Sequence, residues 1–183
     1  MTSAAAPRLV CLIGAECTGK TTLAKALAQQ IDGLYVAEAL RQFCDQHGRT
    51  PTQSEQAVLM DAQVVQEERA WVQARQHGKR FVFCDTAPLL TAVYSDHYFA
   101  DRSLYARARA LHQRYALTLL LAPDLPWVAD GLQRDGVVVQ VQVHALLVQA
   151  LEGVQAVASV AGREAARQRC ALAAVESACG FAS

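Results

Sequence analysis

The sequence predicts an α/β protein: a parallel sheet with helices on both faces, formed by one domain over residues 1–183. Three observations carry this. Short apolar runs alternate with longer helical segments, the pattern of strand–helix–strand units. The first run, residues 9–13, is apolar at every position, as in a strand covered on both faces. A glycine-bounded turn follows it at once and leads into a helix rich in Ala, Leu and Lys. No repeat or Pro/Gly-rich linker divides the chain, and 183 residues suffice to bury roughly 70% of the unfolded surface in one core.

Taken in order, residues 9–13 form the central strand, and a helix covers residues 20–30, closed by Asp32 and Gly33 where glycine adopts a left-handed cap. Residues 34–36 form a second strand. Thr52 and Glu55, just after Pro51, form a capping-box pattern that opens a helix of about 25 residues ending near Gly78, with Val58, Ala62, Val65 and Val72 as its apolar face. Residues 81–85 form the third strand and end in Asp85, at the edge where open α/β sheets bind ligands. Residues 117–121 and 154–159 form the fourth and fifth. Helices are expected over 88–98, 102–114, 126–133, 144–152 and 163–178. The Val- and Gln-rich run at 137–143 favours a strand by its period of two and its β-branched residues, at a place where a helix start or part of a lid spanning about 124–143 is expected, and its state stays open.

The 17 basic and 17 acidic side chains cancel, leaving no positive surplus of the kind that nucleic-acid or anionic-membrane binding uses. No stretch approaches the ~18 uninterrupted apolar residues of a membrane span. A cytoplasmic protein acting on small molecules is expected. Six cysteines without a CxxC pair predict free thiols rather than a zinc site or disulfides.

The chemistry concentrates at Gly14, Ala15, Glu16, Cys17, Thr18, Gly19, Lys20 and Thr21, which match G-x-x-x-x-G-K-[ST] at every required position between a strand and a helix. Gly14 and Gly19 allow the backbone to wrap a triphosphate closely with its N–H groups. Lys20 adds a charge for the β and γ phosphates, and Thr21 offers a hydroxyl to magnesium at a helix N-terminus that favours anions; Thr22 follows it. Asp85, 65 residues beyond Lys20, is placed to be the second magnesium ligand and to face the acceptor. The residue after it is Thr86 rather than a glutamate, which argues against water activation as the main reaction, and no Asn-Lys-x-Asp guanine-reading motif is present. Glu38 and Arg41, three residues apart after the second strand, share one side of a helical turn as a candidate proton acceptor and a cation near the acceptor substrate. The stretch 123–136 gathers Trp127, Asp130 and Arg134. Arg134 is a candidate cation for the transferring phosphate, Trp127 and Tyr94 are candidates to stack on a flat base or pyridine ring, and Asp130 is a candidate acceptor-side carboxylate. Cys17, beside Lys20 and a helix N-terminus, is expected to react readily with alkylating agents unless nucleotide covers it.

Together these segments resemble the nicotinamide-riboside kinase domain of NadR-type P-loop proteins. The likeness rests on residues 14–22, on Glu38 to Arg41, on the stretch from Cys84 through Asp85 to Tyr94 and Ser95, and on 123–136; it spans about residues 8–165. The resemblance implies a five-stranded parallel sheet of order 2-3-1-4-5, ATP with magnesium as donor, and nicotinamide riboside as acceptor, phosphorylated to nicotinamide mononucleotide. Such proteins usually carry Ser at the place of Cys17, an aromatic at Ala39 or Leu40, and further basic residues after the lid. The alternatives are a kinase for another nucleoside or small alcohol, and a nucleotide-binding regulatory ATPase module with weak transfer activity.

Overall fold

A computed structural model describes residues 5–128 and 136–180. The elements run β1 (Arg8–Ile13), α1 (Lys20–Gln30), β2 (Leu34–Val36), α2 (Ala39–His47), a 3-10 turn (Gln53–Glu55), α3 (Gln56–Gln76), β3 (Phe81–Asp85), α4 (Pro88–Phe99), α5 (Tyr105–His112), β4 (Tyr115–Leu121), α6 (Gly136–Ala150), β5 (Val157–Val160) and α7 (Glu164–Cys179). The five strands form one parallel sheet, as the sequence predicts, in the order β2-β3-β1-β4-β5 that the resemblance implies. β1 lies at the centre, with Cys11 level with Cys84 of β3 and Thr118 of β4.

Alternate residues of each strand feed two separate cores. Leu9, Cys11 and Ile13, with Val82 and Cys84, pack beneath α3, α4 and α6 through Met60, Leu90, Val143 and Leu147. Val10 and Leu12, with Phe81, Phe83, Leu117 and Leu119, pack beneath α1 and α7 through Leu23, Leu27, Ala171 and Val175. The apolar runs 9–13 of β1 and 81–84 of β3 follow from this two-sided burial. Among the described residues no helix is long and apolar enough to cross a membrane, and all six cysteines are free.

Several sequence expectations are corrected. The run 137–143 and the segment 144–152 form one helix, α6, which starts at Gly136, so residues 136–143 of the expected lid are helical. Its buried face is Gln140, Val143, Leu147 and Ala150, spaced three, four and three apart; packing overrides the β preference of the valines, of which Val137, Val138 and Val141 are exposed. β5 begins at Val157 rather than 154. β4 begins at Tyr115, two residues early, because the register against β1 shifts between Leu9 and Val10 and breaks the period there. α5 is shorter than 102–114, residues 126–128 are not helical, and 129–133 of that expected helix lie outside the described residues. α2 was not anticipated as a full helix.

The apolar face assigned to α3 is the wrong one: Val58, Val65 and Val72 are 67%, 42% and 49% exposed, while Gln56, Gln63 and Glu67 are buried with Leu59, Met60, Ala70 and Ala74. The buried polar face is held by a network. Glu67, fully buried, pairs with Arg114, and the Tyr115 hydroxyl lies 2.8 and 2.9 Å from its two carboxylate oxygens. Gln63 Nε2 donates to Glu67 Oε1 (2.9 Å), and Gln63 Oε1 accepts from the N–H of Ala39 at the start of α2 (2.9 Å).

Burial pushes the Glu67 carboxyl up, and Arg114 pulls it back. Arg114→Met leaves that carboxylate buried without its cation and is expected to cost about 3 kcal/mol, the low end of the range for a broken buried pair because Arg114 is partly exposed. A carboxyl raised in the folded state contributes stability that is complete below its unfolded value and is lost as pH rises through the folded one. Urea unfolding should therefore show a small deficit for the variant near pH 4.5 that widens towards pH 8; a deficit independent of pH contradicts this account.

Candidate phosphate-binding site

The loop between β1 and α1 lies at the carboxyl end of the sheet, where parallel strands leave a crevice. A Cβ on Gly14 would come within 2.8 Å of Thr18 Oγ1 and 3.1 Å of the Leu121 carbonyl, so a side chain there cannot be accommodated without moving backbone. Gly19 caps α1 at φ 78°, the left-handed region that glycine enters without penalty. Thr18 Oγ1 donates to the Ala15 carbonyl (2.8 Å), and Lys20 Nζ donates to the carbonyls of Gly14 and Ala15 (both 3.0 Å), closing the loop into a ring around its cation. No acidic residue stands in the first turn of α1, so its N-terminal N–H groups and dipole are available to an anion.

Thr21 Oγ1 donates to Asp85 Oδ2 at 2.6 Å, and the Tyr35 hydroxyl donates to the same oxygen at 3.1 Å. Asp85 is 1% exposed, and its other oxygen, Oδ1, is buried with no protein partner. A buried carboxylate oxygen in that state is costly unless a cation or donor meets it. Thr21 and Asp85 therefore fit a hard, oxygen-seeking cation such as magnesium, which takes one or two carboxylates and otherwise water and phosphate.

Glu16, Cys17, Thr18, Gly19, Lys20, Thr21 and Thr22 line one cleft together with Glu38, Arg41 and Tyr94. Glu38 occupies the cap position of α2 and is 6% exposed. Burial pushes its carboxyl up, the Lys20 charge pulls it down, the Asp85 charge pushes it up, and Arg41 pulls it down. Lys20, Glu38, Arg41, Asp85 and Tyr94 thus meet from four separate stretches of chain. Trp127 is not among the residues lining the cleft, and its Nε1 is buried without a protein partner. Asp130 and Arg134 lie outside the described residues. Cys17 adopts a left-handed φ of 54°, and its Sγ–H donates to the Val128 carbonyl at 2.9 Å, so here the thiol acts as a tie between the phosphate loop and the chain after Trp127.

Three participants, Tyr35, Gln140 and Gln63, escaped the sequence reading, and the conformation of a fourth, Thr86, is visible only in the structure. Tyr35 holds Asp85 from the neighbouring strand. Gln140, 4% exposed, donates from Nε2 to the Glu16 carbonyl (2.7 Å) and fastens α6 to the phosphate loop; its helical spacing with Val143 and Leu147 is the signal that could have marked it. Gln63 caps the first N–H of α2 and so sets the backbone beside Glu38. Thr86 stands at φ 81°, where a β-branched side chain costs of order 1–3 kcal/mol. Opposite Gln140, Arg167 joins the ends of β4 and β5: it donates to the carbonyls of Ala122 (3.0 Å) and Val160 (3.1 Å) and pairs with Asp124, which also accepts from the Gly162 N–H (2.6 Å).

A family model described as AAA domain matches residues 9–169. The trifunctional NAD biosynthesis/regulator protein NadR of Salmonella typhimurium is 27% identical over 129 residues, which are 70% of this chain and 32% of that protein. A crystal structure of NadR protein in complex with NR superposes with a TM-score of 0.79 at 20% identity, covering 97% of this chain and 52% of that one. Thymidylate kinase from Ehrlichia chaffeensis superposes at 0.61 with 14% identity over 94% of this chain and 99% of its own. The chain therefore spans about a third of the curated relative and half of the solved NadR chain, whereas it matches the thymidylate kinase nearly end to end.

Proposed function

The chain belongs to the AAA domain family, whose model spans residues 9–169, and from that premise we propose that it is an ATP-dependent kinase for a small-molecule alcohol, with nicotinamide riboside as the acceptor. The observation that carries the reading is Glu38: a buried carboxylate that lines the same cleft as Lys20 and Thr21. A hydrolase needs a base beside the strand-end carboxylate to activate water, and that place holds Thr86. The choice of nicotinamide riboside is supported by the likeness to NadR at 27% identity and by the segments around Glu38 and Asp85 that carry the family resemblance.

In this reading the phosphate loop and Lys20 grip the β and γ phosphates, and Thr21 and Asp85 would hold magnesium, which supplies neutralisation of charge on the phosphate oxygens. Glu38 accepts the proton of the acceptor hydroxyl as its oxygen attacks the γ phosphorus; the bond from that phosphorus to the β–γ bridging oxygen breaks, and ADP leaves. Arg41 steadies the acceptor side and Tyr94 flanks its ring. Trp127 and Asp130 are assigned to the acceptor substrate, and Arg134 to stabilising charge on the transferring phosphoryl group. Arg134 is the sole Lys or Arg between residues 124 and 143, and this sparseness favours the second reading, a regulatory module that binds nucleotide with weak transfer. Steady-state ADP release separates the two. The kinase reading expects release to rise at least tenfold on adding nicotinamide riboside; release that ignores every acceptor tried supports the module.

A further inference from the structure

Thr86 combines three features that the phosphoryl-transfer scheme leaves unused. Its backbone is held in the left-handed region at φ 81°, pinned by an N–H donated to the Leu12 carbonyl (2.9 Å). The residue is 95% buried, and its hydroxyl has no protein partner. It also lines a narrow recess with Glu38, Leu59, Gln63, Leu90 and Tyr94. Glu38 and Tyr94 line the phosphate cleft as well, so the recess opens off the acceptor side of the same site. A strained backbone that delivers an unsatisfied hydroxyl beside a reaction centre marks a ligand contact, because strain of this kind persists only where the surroundings impose it.

The size of the recess restricts what enters. It has room for about 10 Å³, the space of one water-sized group. A hydroxyl fits and a planar ring does not. Gln63 is already committed on both amide atoms, to Ala39 and to Glu67, and the Leu side chains offer no hydrogen bond; Thr91 also lines the recess, and of the two threonines Thr86 is the buried one.

We propose that Thr86 is a specificity residue for the acceptor: its hydroxyl hydrogen-bonds a second hydroxyl of the substrate, seated in this recess, so that the enzyme prefers ribose-type polyols over deoxy analogues. This deepens the kinase reading and rests on it. A deoxy substrate would leave the buried Thr86 oxygen unpaired, and sites built to bond a hydroxyl reject analogues that lack it far more strongly than apolar pockets reject a missing methyl.

The test compares kcat/KM for nicotinamide riboside with its 2′-deoxy and 3′-deoxy analogues in the wild type and in Thr86→Val, Thr86→Ala and Thr86→Ser, with magnesium-ATP affinity confirming that each variant retains its fold. The wild type should favour the ribo substrate at least tenfold over one of the analogues. Thr86→Val, or Thr86→Ala if the valine variant does not fold, should bring that ratio within about twofold by losing rate on the ribo substrate alone, and Thr86→Ser should keep it. A ratio unchanged in the hydroxyl-free variants, an equal loss on all three acceptors, or loss of discrimination in Thr86→Ser overturns the assignment. If the wild type binds magnesium-ATP yet phosphorylates none of the three, the kinase reading itself fails and takes the assignment with it.

Discussion

Lys20→Ala is expected to weaken magnesium-ATP binding by about 10- to 150-fold, the equivalent of the roughly 1.5–3 kcal/mol that a charge-assisted hydrogen bond contributes in a sheltered site. Lys20 is 8% exposed and satisfies the carbonyls of Gly14 and Ala15 when no phosphate draws it away. Its loss therefore removes a ligand contact and also the cation around which the loop closes. The same substitution should act on Glu38, because the Lys20 charge is the strongest influence pulling the Glu38 carboxyl down against burial. Calorimetry with a non-hydrolysable triphosphate reads the first effect, and affinity equal to the wild type would contradict the phosphate-loop assignment.

Glu38→Gln should lower turnover by about 10²- to 10⁴-fold while leaving nucleotide affinity within a few-fold, since glutamine keeps the shape and removes the proton acceptor. The pH dependence gives a second, independent signature. A base works only when charged, and burial raises the Glu38 carboxyl above its ordinary value of 4.5. Activity of the wild type must then fall on acidification at a higher pH than an exposed glutamate would produce, through a single proton uptake. In Glu38→Gln that limb should vanish from the residual rate. A near-normal rate would move the proton acceptor to Asp85 or to solvent.

The parts of this molecule that were legible in the sequence are those whose chemistry is local. The phosphate loop is contiguous, and β1 and β3 declare their two-sided burial by the unbroken apolar runs 9–13 and 81–84. Glu38 and Arg41 were legible because three residues place them on one turn. α3 was misread because the pattern of its valines is real but faces solvent, while Gln63 and Glu67 are buried by partners about 24 to 48 residues away, Ala39, Arg114 and Tyr115. No period along α3 reports those partners. Tyr35 and Gln140 escaped for the same reason: each acts through one hydrogen bond to a distant segment. Thr86 was noticed as the residue that is not a glutamate, but its φ and its unpartnered hydroxyl exist only in three dimensions.

The central claim is transfer of a phosphoryl group to an alcohol, and the most direct test follows the phosphorus itself. The chain is incubated with magnesium, γ-labelled ATP and nicotinamide riboside, and the label is located by chromatography and phosphorus NMR. The expected result is label in a 5′-phosphomonoester of the riboside, formed mole for mole with ADP and, at subsaturating ATP, formed far more slowly by Lys20→Ala. Label appearing only as inorganic phosphate, at a rate indifferent to the riboside or any other nucleoside or small alcohol supplied, would contradict it.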